Sequence, residues 1–571
     1  MRRTQLLYIV VSLAVFSLGC NKILDVENIS AFDPKKVWND PQLTNAYLTD
    51  LYRRTMPGEW PVNNGGNADE AAGVLEAGAV QVNNGSFKVW PYANIRDINV
   101  LFEEIEKGTL EAKVKDPVKG QAYFLRAWNY FNAVMTHGGV PILTKPQGIK
   151  DDLQVPRNST KECFDFIEAD LQQAIALLPP KFTGADRGRV DKPAALAFLG
   201  RVLLYKASPL FNPSNPYNNA YWAAAYTVNK KAKEDLATQG YALMNSYGAL
   251  FNKANEGNSE AVLSVLFMKP NRSNGRREDM CRPLSESKNA TGGDQPIWEM
   301  VEAFPMKDGL QPGSSTYTYN VQAYWENRDP RFYANVVYNG GVYELSGKAG
   351  RRQYTVQGIA TAEDQFGPGQ LFNRTGFYPL KGMDPSLAQP VVTENDLDWV
   401  EIRYAEVLLN FAEAANETGR SAEALDVLVQ IRKRAGIEPG GSNLYGLNAA
   451  MTRDQLREAI YHERRIEFIY EGKRFTDLRR ARKFGLLNGM KKHGLLATLK
   501  PGKNPADGSA YLLQPQDFTY QVVPLISNGT NVMVVPDTYY FFPIAQSEIE
   551  KNPKLIQNAG WNNGTFNPTL E

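Results

Sequence analysis

The sequence has few of the residues that build disulfide frameworks and metal sites. It contains three cysteines and three histidines among 571 residues. Beyond the N-terminal segment only Cys163 and Cys281 remain, so at most one disulfide can form, and stability must come from core packing. We predict no cofactor and no metal, and we place His462 on a solvated helix face, because the histidines show no ligand spacing; they are His137, His462 and His493.

The sequence also lacks an excess of charge of either sign. Its 63 Lys and Arg residues nearly balance 62 Asp and Glu residues, for a net charge of +1. Net charge therefore does not indicate nucleic acid or another strongly electrostatic partner. HExxH, GxSxG and glycine-rich phosphate-binding motifs are absent as well, so no catalytic motif marks the chain.

Long hydrophobic runs are missing apart from one short segment at the N-terminus. Leu6 to Gly19 is an uncharged stretch of about fourteen residues after Arg2 and Arg3, whereas a membrane span needs about twenty. This pattern is typical of a signal peptide over 1–19 and predicts export. The sequence Ser17-Leu18-Gly19-Cys20 resembles the bacterial lipobox, although Ser replaces the preferred Leu, and it predicts a lipid anchor on Cys20. The alternative is an ordinary cleaved signal followed by a chance cysteine.

Aromatic residues are abundant, with 28 Tyr, 26 Phe and 9 Trp. Flat rings beside amide groups suit sugars, whose C–H faces stack on rings while their hydroxyls bond to amides. Most aromatic side chains in proteins are nevertheless core residues. Composition alone therefore favours sugar binding only weakly.

Helical periodicity dominates both ends of the mature sequence. It predicts helices over 121–135, 160–178, 194–205 and 221–244, and then a helical hairpin from Glu401 with its turn at Gly419. Thr452 and Gln455 form a capping box that opens a further helix, which we expect to run to Gly472. Paired helices of this kind stack as tetratricopeptide-like units.

Two segments break the helical pattern. Residues 252–400 and 500–535 are rich in Gly, Pro, Asn and Tyr and are too long for plain loops. We expect an irregular lobe of short strands and turns packed on the helices. The predicted fold is mainly α, with a helical-hairpin frame and a loop-rich α/β lobe. The predicted parts are the signal peptide 1–19, an N-terminal helical part 20–251, the lobe 252–400 and a C-terminal helical part 401–571.

Six segments in family order resemble the SusD/RagB family of outer-membrane nutrient-binding lipoproteins of Bacteroidota. They are residues 118–141, 188–211, 402–414, 431–436, 463–480 and 542–549. The resemblance implies a tetratricopeptide-like frame and no catalysis. It also implies a location on the cell surface, anchored to the outer membrane by lipid, where the protein binds glycan and partners a SusC-like TonB-dependent transporter.

The charged residues of these segments are predicted to be structural. Glu463, Arg464, Arg465 and Glu467 lie at helical spacings that let opposite charges support a helix and its neighbours. Arg126 and Arg403 are each expected on an apolar helical face, paired with a carboxylate or a carbonyl.

The resemblance also suggests where ligand binds. The family usually builds its glycan platform from a loop that here runs from Gln81 to Asn94, so candidate ligand residues are Trp90, Tyr92, Asn83, Asn84 and Asn94. The opposing interpretation is that Trp90 and Tyr92 pack the next helix. A second group of candidates lies in the predicted lobe: Trp298, Tyr317, Tyr319 and Trp325.

Two other functions remain open from the residues. A secreted glycoside hydrolase needs two carboxylates across a cleft, and nothing marks such a pair among 62 acidic residues. A tetratricopeptide-type interaction scaffold fits the helices, but the lipobox and the aromatic, Asn-rich lobe favour nutrient capture.

Overall fold

The computed structural model describes residues 34–61, 65–76, 78–83, 87–289, 292–361, 364–367, 373–525 and 531–571. Cys20 and the signal segment lie outside the described residues, as does Asn84. None of the helices within these ranges is both long enough and apolar enough to cross a membrane.

Helices contain far more residues than strands do, as predicted. The N-terminal half contains α1 (Pro34–Val37), α2 (Pro41–Thr55), α3 (Tyr92–Lys107), α4 (Ala112–His137), α5 (Thr160–Leu177), α6 (Lys192–Ala207) and α7 (Tyr221–Thr238). The middle of the chain contains α8 (Gly275–Cys281), α9 (Trp298–Ala303) and α10 (Pro330–Asn335). The last helices are α11 (Tyr404–Glu417), α12 (Ser421–Ala435), α13 (Arg453–Glu467), α14 (Arg474–Arg480) and α15 (Gln546–Lys551).

Consecutive helices pack as hairpins. Helix α4 packs against α5, α6 against α7, and α11 against α12, while α7 also packs against α11 and so joins the two ends of the chain. Gly419 forms the α11–α12 turn with φ 78°, a left-handed conformation that glycine adopts without strain. One large hydrophobic core runs through these helices. The tetratricopeptide-like frame is therefore confirmed.

The strands are short and pair in twos. They are β1 (Ala261–Val265), β2 (Val336–Tyr338), β3 (Gly341–Val342), β4 (Arg352–Gln353), β5 (Phe377–Pro379), β6 (Trp399–Arg403), β7 (His493–Leu499) and β8 (Phe518–Pro524). Every pair is antiparallel: β1 with β6, β2 with β5, β3 with β4, and β7 with β8. A second core, separate from that of the frame, joins the β7–β8 hairpin to the middle of the chain. The expected irregular lobe is thus present.

Three predicted helix boundaries are wrong. Residues 399–403 form β6 and not the start of a helix, because Trp399, Val400 and Ile402 pair with β1. The helix predicted over 221–244 ends at Thr238, just before Gly240 turns the chain with φ 88°. The helix expected to reach Gly472 ends at Glu467, although its predicted capping box, Thr452 with Gln455, is confirmed.

The predicted arginine pairs are present, and they cross between elements. Arg126 forms a buried ion pair with Asp170 at 2.7 Å. Arg403 closes β6 and does not lie on a helical face, since it donates to three buried carboxylates, those of Glu260, Glu467 and Glu471. The signature charges on α13 also bind neighbouring elements rather than one another: Glu463 binds Arg331 and Arg432, and Arg464 binds Asp477.

One possibility that the sequence left open is resolved, and one expectation about a single residue is corrected. Cys163 and Cys281 are both free and buried, so they form no disulfide. His462 is half-buried and not solvated, with its Nε2 atom 2.9 Å from the carbonyl oxygen of Ala303. Burial lowers the pKa of His462 to about 4, so its ring is neutral at physiological pH.

Candidate functional site

The predicted platform loop leads into α3, and its two large rings are held against the frame. Trp90 packs on Tyr92 with ring centroids 4.8 Å apart, and it meets the ring of His137 edge-on at 6.0 Å. The hydroxyl of Tyr92 donates to the carbonyl oxygen of Pro141 at 2.6 Å. Both rings are half-buried. This arrangement agrees with the packing interpretation of Trp90 and Tyr92, and a ligand role for either ring stays a prediction.

The amides of the same loop differ in their surroundings. Asn94 exchanges hydrogen bonds with Arg54: its amide donates to the backbone oxygen, and its own oxygen accepts from the guanidinium, both at 3.2 Å. Asn83 is exposed and lies in a surface hollow beside Lys88. Asn94 is therefore occupied within the frame, whereas Asn83 is accessible to solvent.

The second group of predicted aromatic residues belongs mainly to the lobe's core. Trp298 and Trp325 are 4% and 9% exposed, so little ring surface is left for a sugar, and a ligand role for either stays a prediction. The hydroxyl of Tyr317 donates to the carboxylate of Glu438 at 2.8 Å. The ring of Tyr319 is partly buried against the same core.

A concave site that the sequence did not predict lies directly beside the platform loop. This cleft of about 570 Å³ is formed by α4, α6, the loop residues Phe87 and Val89, and the segment from Glu471 to Arg479. We call it the helical cleft. Seven of its lining residues are aromatic: Phe87, Trp128, Phe131, Tyr205, Trp399, Phe475 and Phe542.

Helical spacing explains the wall that α4 contributes. Trp128, Phe131, Asn132 and Met135 stand at positions i, i+3, i+4 and i+7, which fall on one helix face. Helix α4 ends at Gly138, whose φ of 76° turns the chain away after that face is complete.

His137, the last residue of α4, fixes the loop to this wall. Its Nδ1 lies 3.0 Å from the carbonyl oxygen of Phe542, and its Nε2 lies 3.4 Å from the backbone nitrogen of Val89. Burial lowers the pKa of His137 to about 4, so the neutral ring donates at Nδ1 and accepts at Nε2. Phe87 and Val89, two residues apart, then line the helical cleft.

Most charges of the helical cleft neutralise one another. The guanidinium of Arg201 binds the carboxylate of Glu406 at 2.6 and 2.9 Å and that of Glu401 at 2.8 Å. Lys473 also binds Glu406, at 2.8 Å. Burial by itself raises the pKa of Glu406, but Arg201 and Lys473 outweigh it and hold that pKa below its usual range.

Two further charged residues of the lining are satisfied by other partners. Glu471 binds Arg403 and Lys381, which hold its pKa below the usual range although burial raises it. Arg479 has no carboxylate partner among the described residues. Its guanidinium donates to the carbonyl oxygens of Tyr540 and Thr136, at 2.9 and 3.1 Å, and lies over the ring of Phe542.

Two polar side chains of the helical cleft remain available to a ligand. Within the described ranges, neither the amide of Asn132 nor the hydroxyl of Thr476 makes a side-chain hydrogen bond, and both residues are half-buried. An amide donates and accepts at once, as sugar hydroxyls require. Aromatic walls with such groups between them suit a neutral, polar ligand that has apolar faces. Sequence analysis missed Phe131 and Asn132, although their spacing on α4 was a usable signal.

A second cleft, of about 740 Å³, lies against the β7–β8 hairpin. We call it the hairpin cleft. Its walls are Ala72–Val74, the segment 355–359 and the hairpin, and they are largely apolar, with Phe366 as an aromatic member. The charged residues of the lining are Arg374 and Lys492. No group of three or more metal-binding side chains is found anywhere in the described part of the chain.

Comparison with known proteins gives consistent matches along the chain. The model of the SusD family matches residues 259–561, and a model described as starch-binding associating with outer membrane matches residues 27–204. SusD-like protein P38 of Formosa agariphila is 25% identical over 492 residues, which are 80% of this chain and 87% of that protein. A SusD-like protein of Bacteroides ovatus is 22% identical over 439 residues, which are 75% of this chain and 68% of that protein.

Solved structures share the fold. A crystal structure of a SusD-like protein from Bacteroides fragilis superposes with a TM-score of 0.74 at 26% identity, covering 93% of this chain and 99% of that one. A SusD-like carbohydrate-binding protein from the same species gives a TM-score of 0.72 at 22% identity, covering 91% and 99%. A laminarin-binding SusD-like protein gives 0.61 at 19% identity, covering 92% and 100%.

Proposed function

Because this chain belongs to the SusD family, we propose that it binds glycan nutrients at the bacterial cell surface and passes them intact to a SusC-like TonB-dependent transporter in the outer membrane. The observation that carries the proposal is the helical cleft, where the half-buried rings of Phe87 and Phe475 and the unpaired amide of Asn132 line one hollow whose other five aromatic residues are buried. Rings stack on the C–H faces of sugars, and the amide bonds their hydroxyls. Similar proteins whose names describe carbohydrate or laminarin binding support the same ligand class.

We infer that the protein is held at the membrane by lipid on Cys20. That residue follows a segment typical of a signal peptide and resembles the acylated cysteine of a lipobox. The description of the matching N-terminal model as associating with the outer membrane supports this location. Acyl chains bury methylene groups in the bilayer, and more than one chain makes a stable anchor.

The carboxylates of the helical cleft argue against hydrolysis there. A glycoside hydrolase needs one carboxyl group with a raised pKa to protonate the leaving oxygen. In the cleft, Glu471 has a lowered pKa beside Arg403 and Lys381, and Glu401 is bonded to Arg201. Neither is arranged as a general acid, so we propose binding without turnover.

A glycan screen tests the proposal. Residues 21–571, purified without the anchor, are applied to arrays of neutral oligosaccharides, and each bound glycan is then incubated with the protein and assayed for new reducing ends. We expect dissociation constants between about 1 μM and 1 mM, or about 4 to 8 kcal/mol, as suits a partly open cleft. Released reducing ends indicate a hydrolase, and binding to no glycan favours an interaction scaffold.

A further inference from the structure

Arg374 is a half-buried arginine that has no carboxylate partner among the described residues. It precedes β5, and its guanidinium makes one long hydrogen bond, from Nη2 to the carbonyl oxygen of Gly292 at 3.3 Å. Its Nε is buried and has no hydrogen-bond partner. Within the described ranges its Nη1 makes no hydrogen bond, so a ligand that enters the cleft lined by Arg374 can accept from that group.

Two arginines that also lack a carboxylate partner among the described residues donate to several carbonyl oxygens, although the Nε of Arg328 is buried and unbonded like that of Arg374. Arg328 donates to three carbonyl oxygens at 2.5 to 2.8 Å, and Arg479 donates to two. Both also lie over aromatic rings. Within the described ranges Arg374 has neither a set of short carbonyl bonds nor a ring partner, although it lines a cleft of about 740 Å³.

The surroundings of Arg374 leave its charge uncompensated. None of the described residues that line the hairpin cleft is acidic. The second cation, Lys492, uses its ammonium group on the carbonyl oxygens of Gly66, Ala68 and Ala71, at 2.7 to 2.9 Å. Burial lowers the pKa of Lys492 to about 7, so this residue is only partly charged at neutral pH and offers no free donor, and Arg374 is the group placed to contact a ligand.

We propose that the hairpin cleft is a second binding site, in which the Arg374 guanidinium binds an oxyanion substituent, a carboxylate or a sulfate ester, on a saccharide. A guanidinium forms two parallel hydrogen bonds with either group, and such charge-assisted bonds are stronger in a partly buried setting. The apolar walls then cover the ring that carries the substituent. The proposal takes from the proposed function only that the ligand is a saccharide, and it does not depend on the helical cleft.

Selenate tests the oxyanion contact directly, because selenium scatters anomalously. Crystals of residues 21–571 soaked in selenate should show a peak within hydrogen-bond distance of Arg374 in the wild type and none there in Arg374→Gln. The matched control is Arg482→Gln, since Arg482 is also half-buried and has only two long carbonyl bonds, at 3.2 and 3.5 Å. No peak at Arg374, or selenate spread over surface arginines as an adventitious ion only, overturns the proposal.

Saccharide probes distinguish the two oxyanions. Glucuronate, glucose 6-sulfate and glucose are titrated by saturation-transfer NMR against the wild type, Arg374→Gln and Arg482→Gln. We expect at least one acidic probe to bind at least tenfold more weakly to Arg374→Gln, with glucose unaffected and Arg482→Gln unchanged. Whichever acidic probe responds identifies the substituent. Equal binding of both acidic probes to wild type and Arg374→Gln refutes the contact.

Two further variants separate the possible failures. Arg374→Lys keeps the charge but loses the bidentate geometry, so it should weaken the binding of acidic probes several-fold. It replaces Arg374→Gln in the tests if Arg374→Gln unfolds. Asn132→Ala should weaken the binding of a neutral glycan that the screen identifies and should not change the binding of selenate at Arg374. If selenate binds at Arg374 but no neutral glycan binds the protein, the helical-cleft site alone is refuted. If a neutral glycan binds but selenate does not bind at Arg374, the hairpin-cleft site alone is refuted.

Discussion

The helical cleft and the hairpin cleft differ most in whether their charges already have partners. The helical cleft contains more charged residues, yet Arg201, Glu406 and Lys473 are bonded to one another. The described lining of the hairpin cleft contains Arg374, Lys492 and no acidic residue, and one long bond is the hydrogen bonding of the Arg374 guanidinium within that part of the chain. What a cleft can attract therefore depends on its unpaired charges and not on its count of charged residues.

Pairing also determines which charged residues hold the fold together. A buried pair costs several kcal/mol when one partner is removed, because the other is left as an uncompensated charge. An arginine that has no carboxylate partner makes no such contribution. The same two clefts should therefore respond in opposite ways to the loss of an arginine, and the first three predictions follow the expected free-energy change from the largest to the smallest.

The largest effect is expected when the pairing in the helical cleft is broken. Arg201→Met leaves Glu406 and Glu401 without their guanidinium partner and should lower the free energy of unfolding by about 3 to 5 kcal/mol, measured by urea denaturation. Lys231→Met is the control, because Lys231 pairs with Asp235 on the exposed surface, where loss of a pair costs about 1 kcal/mol or less. Equal effects of the two substitutions contradict the role assigned to buried pairing.

An intermediate effect is expected at Glu70, on the segment between the two clefts. Glu70 is 2% exposed, its Oε1 has no hydrogen-bond partner among the described residues, and burial next to Asp69 raises its pKa to about 8. Its folded pKa exceeds its unfolded value of about 4.5, so the stability it contributes is fully present below pH 4.5 and is lost as the pH rises to 8.

Glu70→Gln tests this pH dependence because it removes the titrating carboxyl group and keeps the size and shape of the side chain. We expect the free energy of unfolding of the variant, relative to that of the wild type, to be about 3 kcal/mol more favourable at pH 8.5 than at pH 5.5, as measured by paired urea titrations. An identical difference between variant and wild type at both pH values contradicts the raised pKa.

The smallest effect is expected in the hairpin cleft. Arg374→Gln removes a guanidinium that makes one long bond, so the free energy of unfolding should change by less than about 1 kcal/mol. Thermal unfolding of Arg374→Gln and Arg201→Met, each against the wild type, compares the stability that the two clefts lose. A loss comparable to that of Arg201→Met shows that Arg374 is a structural residue and removes the basis for an uncompensated cation.

Much of the frame could be predicted from the sequence because its signals are local. The apolar spacing of Phe164, Ile167 and Leu171 defines α5, and the capping box of Thr452 and Gln455 fixes where α13 begins. The boundary at β6 could not be predicted in this way. Its apolar residues read equally well as the first turn of α11, and only pairing with the distant β1 makes them a strand.

The clefts depend on contacts between distant parts of the chain, and local patterns do not encode them. Phe87 stacks on Phe542 at 4.4 Å, and His137 fixes the same loop through Val89. The sequence prediction named Trp90, whose ring packs on Tyr92, and not Phe87 and Val89 of the same loop, which line the helical cleft. Aromatic content likewise does not distinguish the lobe's core, where Trp298 lies, from its surface.

A titration of one neutral oligosaccharide from the glycan screen tests the central claim most directly. Wild type, Asn132→Ala and Trp90→Ala are each titrated by calorimetry, and each is also unfolded thermally. If the helical cleft is the glycan site, Asn132→Ala binds at least fivefold more weakly, about 1 kcal/mol, at an unchanged melting temperature. Trp90→Ala should instead lower the melting temperature and keep the affinity. Unchanged affinity in Asn132→Ala together with weakened binding at full stability in Trp90→Ala would contradict the account and return the site to the platform loop.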